Sequence, residues 1–301
     1  MDITAVYINT YKYDFPFARI CIASIRYWYP DIPIFLIKDM GAGPFDTSVI
    51  ESKLNVGVLD TAGKSFGWGF GKFEPLFKEG KESFLFMDAD TAMVGPVLDQ
   101  MKAIVGDFVV DKEVTTLEKI ISLYYDPEKI RNLFSDFIFP GYCFNTGQWV
   151  GTSGILKRSD FETLVSWDPK PSLKFPEVFK QADQGVFNFI IHRKELERQL
   201  TVVKTQIMVW PEKGAADFID LSALKNKSQK FPFIIHWAGM KENRLKDFPR
   251  ADILTFYRDY YYLLVGESFR KYDNLSVLLN RWQHRAKLFR KSFHENIVGR
   301  R

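Results

Sequence analysis

The stretch Phe84-Leu-Phe-Met-Asp88-Ala-Asp90 constrains this chain more than any other. Four apolar residues run into two acids at i and i+2. Gly80-Lys-Glu precedes the run and Gly95-Pro96 follows it. A short apolar run bounded by breakers predicts a buried strand. In extended chain, residues i and i+2 point to the same side. Asp88 and Asp90 are therefore expected to aim both carboxylates at one point beyond the strand's carboxyl end, where open α/β sheets bind ligands. Two carboxylates on one point repel unless a cation lies between them, and hard divalent ions take such oxygens. A strand-end Asp can also simply cap a turn, so the pair needs support from elsewhere in the chain.

The surrounding chain predicts a doubly wound α/β protein. Residues 3–9 read as a strand, Phe17 to Trp28 as a helix ending before Pro30, and Ile34–Ile37 as a second strand. Strand–helix–strand order implies a mainly parallel sheet flanked by helices. Further expectations are a third strand at 55–59, a loop at 63–71, a helix over 72–77 and helices within 111–139. A strand within 141–154 and a helix over 160–166 follow. A helix starts near Asp183, and a strand over 233–239 carries His236 and Gly239 at its end. Residues 251–270 and 275–293 read as helices. The expected organisation is one catalytic domain, 1–250, with a C-terminal helical extension, 251–301. Gly41-Ala-Gly-Pro44 lacks the G-x-G-x-x-G spacing of a dinucleotide fingerprint, and no P-loop occurs.

Cys21 and Cys143 are too few for a disulfide framework and sit among apolar residues, which predicts buried thiols. No apolar run approaches the length of a membrane span. The N-terminus has no basic, apolar leader pattern. These features predict a cytoplasmic protein, or one peripheral on the cytosolic face of a membrane. The net charge of +4 is concentrated in the tail, where Arg281–Arg301 holds seven Lys/Arg and one Glu. The body is slightly acidic and carries no nucleic-acid motif, which argues against nucleic acid. In the tail, Trp282, Ala286, Phe289, Phe293 and Ile297 recur at helical spacing among basic residues. Such a helix can lie on an anionic membrane or pack on the core with a solvated basic face.

Four pieces stand in order: Lys72, the Asp88/Asp90 pair, Asp183-Gln184 and His236. Singly, each has a plain explanation; Asp183, for example, would suit a helix N-cap. Together they resemble glycosyltransferases of the GT-A fold. The closest motif order is that of family 8, the family of glycogenin and bacterial lipooligosaccharide galactosyltransferases. Phe86-Met-Asp-Ala-Asp-Thr91 resembles that family's metal motif, Phe144-Asn-Thr-Gly147 its Phe-Asn-Ser-Gly segment, Asp183-Gln-Gly-Val-Phe-Asn188 its Asp-Gln-Gly-x-x-Asn helix start, and His236-Trp-Ala-Gly239 its His-x-x-Gly segment.

The resemblance implies a metal-dependent hexosyltransferase that retains anomeric configuration. It would use a nucleotide-diphosphate sugar, a UDP-sugar, and act on a hydroxyl of a glycan, glycolipid or protein acceptor. Asp88, Asp90 and His236 would hold Mn2+ or Mg2+. Thr10, Tyr11, Lys72, Ala89, Gly239 and Lys241 would bind the nucleotide diphosphate. Asp183 and Gln184 would act at the sugar, and Asn145 and Gly147 would flank the substrate pocket. One departure is Lys241, which stands two residues after Gly239 rather than three and is followed by Glu-Asn rather than Pro-Trp. Two other readings stay open on sequence alone. One is a sugar nucleotidyltransferase, against which the absence of a glycine-rich basic loop after the first strand argues. The other is a nucleotide-sugar-binding protein without turnover.

Overall fold

A computed structural model of the chain describes residues 1–67, 69–112, 115–228, 231–240, 244–271 and 273. The first half builds β1 (Ile3–Tyr11), α1 (Phe15–Trp28), β2 (Ile34–Asp39), α2 (Ser48–Leu54) and β3 (Val56–Val58). Then come β4 (Ser83–Asp88), β5 (Thr91–Met93), α3 (Val97–Met101), β6 (Phe108–Asp111), α4 (Leu117–Leu123) and α5 (Pro127–Leu133). The second half adds β7 (Gln148–Thr152), a small hairpin of β8 (Val165–Ser166) and β9 (Ser172–Leu173), and α6 (Asp183–Leu196). It closes with β10 (Val202–Thr205), β11 (Met208–Val209), α7 (Leu221–Lys225), β12 (Ile234–His236) and α8 (Ala251–Val265).

Seven strands form the main sheet in the order β10-β6-β7-β4-β1-β2-β3. β4, β1, β2 and β3 run parallel, and β7 alone opposes both of its neighbours. The alternation of β4 explains why it sits at the centre. Phe84 and Phe86 enter one core with Tyr7, Trp149 and Phe187, while Leu85 and Met87 enter the other with Ile8, Ile22 and Val150. A strand covered on both faces must be apolar throughout. At its end the chain turns into β5, which joins a second sheet of order β11-β12-β5. α8 packs beside α1, burying Ile253, Leu254 and Tyr257, and the Trp28 indole donates to the Tyr257 hydroxyl at 3.1 Å.

Several expected elements differ. The strand expected within 141–154 is confined to Gln148–Thr152, because the Asn145 side chain accepts from the Gly147 amide at 2.8 Å and holds a turn there. The helix expected over 160–166 is a 3-10 turn, Arg158–Phe161, leading into β8. Residues Phe70–Phe77 form a 3-10 helix with Pro75 inside it. The two cysteines are buried and outside any disulfide. Among the described residues no helix is long and apolar enough to cross a membrane. The helix expected over 275–293 lies outside the described residues.

Candidate active site

The two acids converge, but not by extended spacing. Asp88 ends β4, whereas Asp90 lies with Ala89 in a two-residue turn before β5. The Thr91 hydroxyl closes that turn on the Asp88 carbonyl at 2.7 Å. The Asp88 amide donates to the Gly147 carbonyl at 2.6 Å, and the Trp237 amide to the Asp90 carbonyl at 3.0 Å. The antiparallel register sets His236 opposite Thr91. His236 Nε2 thus lies 3.3 Å from Asp90 Oδ1.

One donor atom each of Asp88, Asp90 and His236 lies within 4.8 Å of the others. Donors about 2.2 Å from one ion can be separated by up to roughly 4.4 Å, so small adjustments let all three close on a single cation. Two carboxylate oxygens and one imidazole suit manganese, and the oxygens alone would suit magnesium. His236 is 3% exposed, and its Nδ1 has no hydrogen-bond partner among the described residues. The donor set and its spacing fit a divalent ion.

Beside this group lies a buried ion pair. The 3-10 helix Phe70–Phe77 delivers Lys72, 4% exposed, into the site. Its Nζ stands 2.8 Å from Asp183 Oδ2 and 3.4 Å from Asp88 Oδ1. It also donates to the Thr146 carbonyl at 3.3 Å. Asp183 is the first residue of α6, but its side chain does not cap the helix. It accepts from the Thr146 hydroxyl at 2.9 Å instead. Gly69, at φ +102°, makes room for it: a Cβ there would fall 2.2 Å from Asp183 Oδ1.

Burial works against the charge of Lys72, but Asp183 and Asp88 outweigh it and hold the ammonium above the ordinary lysine range. Burial raises Asp88; Lys72 opposes this and Asp90 adds to it. Asp90 is lowered despite its burial, because His236 faces it. Three carboxylates, Asp88, Asp90 and Asp183, thus gather around one lysine and one imidazole, an arrangement that a bound cation would stabilise.

The loop after β1 holds a fourth acid that sequence reasoning missed. Asp14 Oδ1 accepts from the Thr10 hydroxyl at 2.6 Å and from the Tyr11 amide at 2.8 Å. Burial pushes its carboxyl up to about 7, against the pull of those two hydrogen bonds, with Asp90 and Asp88 adding to the rise. Burial and then Asp14 also raise the Tyr11 phenol. Asp14 directly precedes α1, so in sequence it reads as an ordinary helix cap.

The remaining expected residues fall as follows. The Gln184 amide donates to the Leu123 carbonyl at 3.1 Å, toward the end of α4. Asn145 and Gly147 form the turn before β7, and Ala89 is buried in the Asp88–Asp90 turn. Gly239 follows β12 at φ +70°, and a Cβ there would meet none of the described residues within 4 Å. Lys241 lies outside the described residues. Besides Asp14, sequence reasoning passed over Thr146, Gly69 and Trp210. The aromatic-glycine run Ser65-Phe-Gly-Trp-Gly-Phe-Gly71 held a signal for Gly69, whereas Trp210 had none.

Neither known protein families nor curated proteins match the chain. Solved structures do. The galactosyltransferase LgtC, in complex with donor and acceptor sugar analogs, aligns with a TM-score of 0.56 at 14% identity over 89% of this chain and 99% of that one. An active-site mutant of LgtC aligns at 0.51 and 12% identity, over 85% and 95%. WbbM, a bifunctional glycosyltransferase, aligns at 0.53 and 14% over 85% of this chain, which spans 50% of WbbM's length. The chain has the GT-A fold of these glycosyltransferases, as the order of its motifs implied.

Proposed function

We propose that this protein is a metal-dependent glycosyltransferase. It moves a hexose from a nucleotide-diphosphate sugar, a UDP-sugar, to an acceptor hydroxyl on a glycan, glycolipid or protein. The observation that carries this reading is one contiguous site on a GT-A fold. In it the Asp88–Asp90–His236 group adjoins the buried Lys72–Asp183 pair.

Bound there, Mn2+ or Mg2+ would neutralise the donor's diphosphate. Lys72 adds a fixed positive charge, held by Asp183, Asp88 and Thr146, where negative charge grows on the departing diphosphate. Asp183, held by Lys72 and Thr146, would accept hydrogen bonds from sugar hydroxyls or steady charge at the anomeric carbon. Gln184, the next residue, is the second group assigned to the sugar. In the reaction the acceptor oxygen forms its bond to the anomeric carbon. The bond to the diphosphate breaks with its electron pair on the phosphate oxygen, and the acceptor proton passes to that oxygen or to solvent. By resemblance the anomeric configuration is retained. Thr10 and Tyr11, fixed by Asp14, would hold the nucleotide base, with Ala89, Gly239 and Lys241 along the rest of the nucleotide.

The protein would act in the cytoplasm. The basic, aromatic spacing of the tail supports docking on an anionic membrane surface, which suits a lipid-linked or surface glycan acceptor. Thermal unfolding with UDP tests the donor class. Stabilisation only when Mn2+ is present is expected, amounting to about 2.7 kcal/mol at a hundredfold excess over the dissociation constant. No shift with any nucleotide, metal present, would overturn the reading.

A further inference from the structure

Ligating histidines ordinarily take their orientation from a hydrogen bond at the second ring nitrogen. Among the described residues His236 has none: its Nδ1 is buried and meets no donor or acceptor there. The ring is nonetheless confined. β11 runs parallel to β12, pairing Val209 with Ile235, so the next residue along, Trp210, comes alongside His236. The two rings stack with centroids 5.7 Å apart and planes 16° from parallel. Gly147 presses on the imidazole as well. A Cβ at Gly147 would fall 2.2 Å from Cε1 and 2.8 Å from Nδ1 of His236. Gly147 is not among the positive-φ glycines, so its backbone places no demand for glycine. What excludes a side chain there is the imidazole, together with Asn145 Oδ1 at 3.0 Å.

We propose that Trp210 and Gly147 are positioning residues that clamp the His236 imidazole between a stacked ring and a bare backbone, aiming Nε2 at the metal in place of the missing hydrogen bond. This inference rests on the reading of Asp88, Asp90 and His236 as a metal site. It assigns Gly147 to the metal ligand rather than to the substrate. The clamp also makes the metal site depend on two segments that carry no metal ligand, the turn before β7 and the residue after β11.

The test is Mn2+ affinity of the full-length protein by titration calorimetry, together with electron spin echo spectroscopy of the imidazole nitrogen coupled to bound Mn2+. Trp210→Leu should weaken Mn2+ about tenfold or more, within the range seen for supporting residues of metal sites, and should reduce the nitrogen coupling. Trp210→Phe, which keeps a flat ring, should restore both. Gly147→Ala should lose the nitrogen signal, and His236→Ala sets the floor. Thermal melts of each variant without metal separate a lost ligand from a lost fold. Trp210→Leu binding Mn2+ like the unaltered protein, with its nitrogen coupling intact, would overturn the clamp while leaving the metal site standing. Unaltered protein that fails to bind Mn2+ would overturn both.

Discussion

Lys72 Nζ lies 2.8 Å from Asp183 Oδ2, with both side chains less than a tenth exposed. This contact joins the 3-10 helix before the central strand to the first turn of α6, more than a hundred residues later. It also explains why Asp183 leaves its own helix uncapped: the carboxylate is committed to the site.

Lys72→Met would leave Asp183 and Asp88 without their shared cation. Removing one partner of a buried pair costs about 3–5 kcal/mol, and urea unfolding in chelator should show a loss of that order. Asp183→Asn should cost less, because Lys72 keeps Asp88 and Thr146, yet it should lower turnover at least about a hundredfold. Comparable activity in Asp183→Asn and the unaltered protein would remove Asp183 from the chemistry.

Gly69→Ala combines two penalties. The residue stands at φ +102°, and a Cβ would collide with the Asp183 carboxylate. Strain of this kind costs about 1–3 kcal/mol. The displaced carboxylate should reduce turnover beyond what the stability change explains. Activity assays at a temperature where both proteins are folded separate the two effects.

Asp14 and His192 give the apo protein an opposed pair of pH dependences. Burial pulls His192 down to about 3; its Nδ1 pairs with the Tyr125 hydroxyl at 2.6 Å. The unfolded chain therefore binds this proton more readily than the folded one. The stability that His192 contributes is complete above about 6.5 and is lost as pH falls toward 3. Asp14 acts the other way. Its folded carboxyl holds a proton up to about 7, so its contribution is present below about 4 and is lost as pH rises toward 7. Each has a limiting slope of about 1.4 kcal/mol per pH unit, and the windows overlap between about pH 4 and 6.5. Asp14→Asn should lose stability on acidification more steeply than the unaltered protein, and His192→Gln less steeply. Denaturant unfolding in chelator at pH 4.5, 5.5 and 6.5 checks both signs.

The parts of the fold legible from residue order were those set by local periodicity. β1, α1, β2 and β4 stand where apolar spacing placed them, because strands buried on both faces and a helix with one apolar face leave that imprint. His236 was legible because it ends an apolar strand. Asp90 was placed near the right point for the wrong reason, since a tight turn rather than strand alternation brings it to Asp88. The strand expected within 141–154 was legible in range but not in its start, because the turn that precedes Gln148 depends on one Asn145 hydrogen bond. The order of motifs put Lys72, Asp88 and Asp183 in one site, but the direct Lys72–Asp183 and Lys72–Asp88 contacts were not legible. They arise from three-dimensional proximity, and no local pattern records it. Asp14 and Trp210 were hidden because each lies in irregular chain beside a regular element, where no periodicity marks it.

The most direct test of the central claim is release of nucleotide diphosphate from a panel of nucleotide sugars, with Mn2+ and with chelator, followed by phosphorus NMR. One UDP-sugar should yield UDP only when metal is present, and Asp88→Asn should abolish that release while unfolding at a similar temperature. Release that persists in strong chelator, or no release and no binding for any donor, would contradict the account.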